Sequence, residues 1–114
     1  MAIRVEPCEN EPCSFFRGKT VVAEVDFVAN QDSQALSNDI KAKVLIIDMP
    51  FPGLKVNACE DNGINCPITK GQTYTYRFNL EVKSWFPKIS TTVTWRLKGD
   101  QGDVFCFKTD VDVA

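Results

Sequence analysis

Residues 73–83, TYTYRFNLEVK, change side-chain character with a period of two. Tyr74, Tyr76, Phe78, Leu80 and Val82 fall on one face; Thr73, Thr75, Arg77, Asn79, Glu81 and Lys83 fall on the other. Successive side chains of a strand point to opposite faces, so the pattern predicts a half-buried β-strand. Residues 89–98 repeat it, with Ile89, Thr91, Val93, Trp95 and Leu97 facing in. Residues 20–29 place Val21, Ala23, Val25, Phe27 and Ala29 opposite Glu24 and Asp26. Residues 40–47 alternate around Lys41 and Lys43 and then become wholly apolar at VLII, which reads as one continuous strand. Residues 104–113 bring Phe105, Phe107, Thr109, Val111 and Val113 to one face. Turn-forming clusters separate the runs: CENEPC, ANQDSQ, MPFPG, EDNG, TKGQ, WFPK and KGDQGD. No segment keeps a helical period for two turns. The expected fold class is all-β, an antiparallel β-sandwich.

At 114 residues the chain is expected to be one domain, 1–114, large enough to bury a core. Its formal net charge is -2 and no run of Lys or Arg could track phosphates, which argues against nucleic acid or an anionic lipid surface as partner. No apolar run approaches membrane-spanning length, and MAIRVEP carries no apolar signal region. There is no histidine, which removes Ser-His-Asp and Cys-His catalysis together with the commonest transition-metal ligand. Asp100, Asp103, Asp110 and Asp112 lack the spacing of a calcium loop, and GDQGD reads as a hairpin turn. Neither an enzyme, a metal nor a cofactor finds positive support.

Five cysteines are the informative count: Cys8, Cys13, Cys59, Cys66 and Cys106. Two close pairs, each spanning a Pro- or Gly-rich turn, read as local disulfides of an oxidising compartment. A four-cysteine zinc site is the rival. Four residues separate the first pair, which such a site tolerates, but six separate the second, which it does not. Cys106 is left over.

Two loops carry unusual chemistry. In DMPFPGL (residues 48–54), Pro50 and Pro52 flank Phe51, with Met49 beside them; the prolines predict a rigid loop rather than a sheet interior. In KSWFPK, Trp85 and Phe86 precede Pro87. Either these aromatics cap the end of the core, or they form the lip of an apolar cavity between the sheets.

VEPCENEPCSFFRGK, CEDNGINCPITKGQTYTYRFNLEVKSWFPK and VTWRLKGDQGDVFCF together resemble the ML (MD-2-related lipid-recognition) domain, closest to its Niemann-Pick type C2 branch. The likeness spans essentially the entire chain, and residues 11–31 are similar to arthropod members, including group 2 mite allergens. It implies a non-catalytic, immunoglobulin-like β-sandwich whose sheets splay to hold a sterol, fatty acid or other lipid, in a secreted, extracellular carrier. Carried over by position, the cavity entrance falls on Met49, Phe51, Val82, Phe86 and Pro87, and the family's disulfides fall on Cys8–Cys13 and Cys59–Cys66. One departure stands out. Family members begin with a strand whose cysteine pairs with the position of Cys106, whereas this chain starts near that strand's end, at Ile3, so the first strand looks missing. The sequence also has no Asn-x-Ser/Thr sequon.

The resemblance and the alternation together predict an interior lined by Phe27, Ile46, Tyr76, Phe78, Leu80, Val93, Trp95, Leu97 and Phe107. Phe51 and Phe86 would close over the entrance, and Pro52 and its neighbours would hold the loops near that geometry. With few polar anchors, selectivity is expected to follow ligand length and bulk. A monomer with a small hydrophobic ligand is expected. The competing expectation is an interaction or immune-recognition module that docks a receptor or membrane through the same aromatic loops.

Overall fold

The computed structural model describes residues 1–6, 8, 12–44, 46–50, 56–59 and 62–114. Eight strands run in chain order: β1 (Ala2–Glu6), β2 (Cys13–Phe15), β3 (Thr20–Val28), β4 (Ser37–Val44), β5 (Ile47–Pro50), β6 (Thr73–Glu81), β7 (Ser90–Gly99) and β8 (Gly102–Val113). They form a three-stranded sheet, β1-β3-β6, and a five-stranded sheet, β2-β8-β7-β4-β5. Among the described residues there is no helix. The result is an all-β, immunoglobulin-like sandwich.

Alternation placed β3, β6, β7 and β8 within a residue or two, because each buries one face against the opposite sheet. Val21, Ala23, Val25 and Phe27 are buried along β3, and Tyr76, Phe78 and Leu80 along β6. The two strands pair antiparallel from Thr20↔Glu81 to Val28↔Thr73, so these side chains share a face. Across the gap, Ile40, Val93, Trp95, Leu97, Phe105 and Val111 line the five-stranded sheet. A register shift between Leu97 and Lys98 admits one extra β8 residue, which is why Val104 and Phe105 are both buried although adjacent.

The structure departs from the sequence expectation in three places. First, the apolar run ending in VLII is not one strand: the chain reverses, and β5 returns along β4 with Lys41↔Pro50 through Val44↔Ile47. Ile46 lies in that turn and is 91% exposed, so it does not face the space between the sheets. A tight turn exposes its corner whatever the hydrophobicity of its residues. Second, residues 48–50 belong to an edge strand rather than a loop. Pro50 is tolerated because an edge strand can leave a backbone position without a donor. Third, the sandwich is not purely antiparallel. β2, only three residues long, runs parallel to β8 with Cys13↔Val111 and Phe15↔Val113.

Both close cysteine pairs are disulfides, Cys8–Cys13 and Cys59–Cys66, which removes the zinc alternative. Cys106 is free and exposed on the outer face of β8, opposite Arg96.

Candidate functional site

The space between the sheets has two ends with different construction. At one end the polar segment after β3 reaches the β7–β8 hairpin. Gln31, buried, donates from Nε2 to the Gly102 carbonyl (3.1 Å) and accepts at Oε1 from the Gln101 N–H (2.8 Å). Ser33 Oγ accepts from the Asp100 N–H (2.8 Å), and Asp100 Oδ2 accepts from the Gln34 N–H (2.8 Å). The fit is close enough that a Cβ on Gly99 would meet Gln31 Oε1 at 2.5 Å. Gly102, at φ +99°, completes the two-residue turn in a conformation open to glycine. The loop containing the second disulfide closes the same end, with Asn38 N–H donating to Val56 O (2.7 Å) and Ala58 N–H to Leu36 O (2.9 Å).

A chain of rings fills the interior above this end. Phe105 of β8 touches Phe27 of β3 and Tyr76 of β6 edge-on, each with centroids 5.3 Å apart, so one ring joins the two sheets. Tyr76 stacks on Phe78 at 6.2 Å, and Trp95 on Phe107 at 5.7 Å with 6° between planes. Phe107 itself is half-buried. Phe105 was not among the expected lining residues, although its position on the inward face of β8 was legible from the alternation.

One polar chain crosses this apolar space. The Tyr76 hydroxyl donates to Asn38 Oδ1, Asn38 Nδ2 to Asn62 Oδ1 (3.2 Å), and Asn62 Nδ2 to the Arg77 carbonyl (2.8 Å). Burial pushes the Tyr76 phenol far above its usual value, so it is a neutral donor throughout the physiological range. The chain links β6 to β4, and thus one sheet to the other, through groups no sequence period marks.

At the opposite end backbone hydrogen bonds tie neighbouring segments together. Gly18 N–H donates to Val82 O (2.6 Å), Val82 N–H to Lys19 O (3.0 Å), Arg17 N–H to Ala114 O and Ala114 N–H to Phe15 O (both 2.9 Å). The expected entrance residues map here as follows. Val82 and Phe86 are fully buried, Pro87 is exposed and Met49 is half-buried against the core. Trp85 and Phe86 separate: Phe86 turns inward while Trp85 is 66% exposed. Phe51 and Pro52 lie outside the described residues. Ile46 in its turn, Ile47 at the start of β5 and Phe16 just after β2 are exposed at this same end, which the pairings Thr20↔Glu81 and Val44↔Ile47 identify.

The outer face of the five-stranded sheet is charged. Asp39 receives Lys98 at 3.1 Å, Lys41 at 3.6 Å and Arg96 at 3.8 Å, and Arg96 also reaches Asp103 at 3.1 Å. Burial would push the Asp39 carboxyl up, but bonding from Lys98 and the charge of Lys41 outweigh it, and the group sits below the usual carboxylate range. A hollow of about 670 Å³ opens on this face, lined by Lys41, Lys43, Asp48, Thr92, Thr94, Arg96, Lys108 and Asp110. All eight are polar or charged and none lies on an inward face, so this hollow is not suited to a lipid.

Comparison with known proteins gives a concordant picture. The family model of the ML domain matches residues 2–113. The NPC intracellular cholesterol transporter 2 of Canis lupus familiaris is 36% identical over 112 residues, covering 97% of this chain and 74% of the relative. Its homolog a of Drosophila melanogaster is 35% identical over 107 residues, covering 91% and 72%. A crystal structure of a Niemann-Pick type C2 protein from the Japanese carpenter ant superposes with a TM-score of 0.90 at 22% identity, over all of this chain and 90% of that one, a likeness of fold. The chain belongs to the ML domain family.

Proposed function

We propose that the protein binds a sterol, fatty acid or similar lipid between its two sheets and carries it without chemical change, as a single-domain, extracellular monomer. The observation that carries this reading is the interior itself. Both inward faces are predominantly apolar and meet through rings at one end, while Ala23, Val25, Ala42 and Val93 present small side chains to the space between them. Membership of the ML family and the relatives named as cholesterol transporters support it. Binding draws on burial of apolar ligand surface at about 25 cal/mol per Å², less the entropy lost on capture. In this reading Met49, Val82, Phe86 and Pro87 form the entrance with Phe51 and Pro52, and the interior lining is Phe27, Tyr76, Phe78, Leu80, Trp95, Leu97 and Phe107. Met49 adapts to ligand shape through its flexible thioether chain.

Native mass spectrometry of the purified protein, followed by organic extraction, tests the reading. A stoichiometric lipid adduct is the expected result. A protein that carries none, and that fails to displace a fluorescent fatty acid or sterol, would overturn it.

A second reading rests on Phe16, Ile46, Ile47 and Trp85, exposed apolar side chains gathered at one end. In that reading the same end docks a receptor or membrane. Vesicle co-sedimentation that survives Trp85→Ser and Ile46→Ser would exclude it for membranes.

A further inference from the structure

Among the described residues, one interior polar atom has neither a hydrogen bond nor an opposite charge. Trp95 is 2% exposed, and its indole Nε1–H meets no acceptor. The other two buried side-chain atoms without a hydrogen bond, Asp39 Oδ2 and Arg96 Nε, lie on the outer face with Lys98 Nζ and Asp103 Oδ2 at 3.1 Å. The Tyr76 hydroxyl, Asn38 and Asn62, by contrast, are matched in a run that ends on a backbone carbonyl. Buried polar groups without partners are uncommon because each forfeits its hydration and gains nothing back.

The indole is also fixed in place. It stacks nearly parallel on Phe107 and stands opposite Ile40 on one side and Phe107 on the other in the sheet register. Swinging the N–H toward some other acceptor would break that stack, so the donor is held ready between the sheets. No Lys or Arg lies on the inward faces of β3, β4, β6, β7 or β8. An ionised carboxylate brought here would therefore be a buried charge with no counter-charge, which is far costlier than a neutral oxygen.

We propose that Trp95 Nε1–H is the polar anchor of the bound lipid, donating to an uncharged oxygen of the ligand: a hydroxyl, a ketone or ester carbonyl, or a protonated acid. The preference this creates is for neutral oxygenated lipids over plain hydrocarbons and ionised acids. It adds a polar criterion to a site whose sequence predicts selection by length and bulk alone. The inference rests on the carrier reading above.

The test uses the delipidated, ¹⁵N-labelled protein and probes of one chain length, 2-hexadecanone, hexadecane and hexadecanoate, delivered from cyclodextrin. The two tryptophans give two indole N–H signals; Trp85→Phe assigns them, and exposed Trp85 serves as the internal control. The ketone should move the Trp95 signal downfield and hexadecane should not, with hexadecanoate binding more weakly than the ketone above its pKa. Trp95→Phe keeps an aromatic ring against Phe107 and should weaken the ketone by roughly five- to tenfold more than it weakens hexadecane. A ketone that binds stoichiometrically without moving the Trp95 signal would overturn the anchor and leave the carrier reading standing. Equal weakening of both probes by Trp95→Phe would do the same. If no probe binds, the carrier reading fails and the anchor with it. Should Trp95→Phe fold poorly, the signals of the unaltered chain decide.

Discussion

The two ends of the sandwich close the same pair of sheets by different physics. At the hairpin end, side chains do the joining: Gln31, Ser33 and Asp100 bond across long sequence separations, and the Phe105 ring touches both sheets. At the opposite end backbone hydrogen bonds tie residues 15–19, Val82 and Ala114 together, and several apolar side chains are left in solvent. Backbone bonds fix strand position but leave the space between sheets to whatever fills it. Side-chain networks and rings specify the distance itself. The hairpin end is therefore the more tightly specified of the two.

Deleting the ring that joins the sheets has the largest expected effect. Phe105→Ala should cost about 3–5 kcal/mol in urea-induced unfolding, in line with large-to-small core changes. Phe86→Ala at the other end should cost less stability but more ligand affinity; a reversal of that order would refute the assignment of rigid and yielding ends. Next in size, replacing Cys59 and Cys66 together by Ala should lower stability by about 2 kcal/mol, because the short loop they close gains freedom when unfolded.

Tyr76→Phe should cost about 1–2 kcal/mol, since it removes the donor to Asn38 Oδ1 in a buried site. The same residue predicts an alkaline limb. Its folded pKa is raised, so its contribution is complete below the unfolded value of about 10 and is lost as pH rises beyond it. Stability curves of the two proteins should converge above that pH, and parallel curves would show that the phenol is not the group responsible. Smallest of all, Trp85→Ser should change stability by less than about 0.5 kcal/mol, because the side chain is exposed. A larger loss in calorimetry would mean that Trp85 packs on the end now described as open.

The strands that face the core were legible because burial imposes a period of two on their residues, as in 73–81 and 90–98. What the period cannot register is where an apolar run reverses. Ile46 and Ile47 look like the continuation of β4, yet one is a corner and the other begins an edge strand. β2 is three residues of a parallel pair, too short for any alternation to appear. In WFPK the two aromatics are neighbours, and only backbone geometry decides that Phe86 goes in and Trp85 out. The polar run from Tyr76 to Asn62 was invisible for a different reason. Asn38 and Asn62 stand 24 positions apart, and each asparagine alone looks like an ordinary turn residue.

The bonds between the segment after β3 and the β7–β8 hairpin span 66 to 73 positions of sequence. Such a pin cannot form until the distant hairpin exists. At about 5–20 residues per second of synthesis, roughly 4–14 s separate the appearance of Gln31 from that of Gln101. During those seconds the growing polypeptide presents the strongly β-forming 20–28 stretch with its closing partner unmade. Loop-closure entropy then makes the final docking the slow kinetic step, as is common where most contacts are non-local. A substitution at Gln31 or Ser33 would therefore be felt first in yield and folding time, before it is felt at the equilibrium of the finished protein.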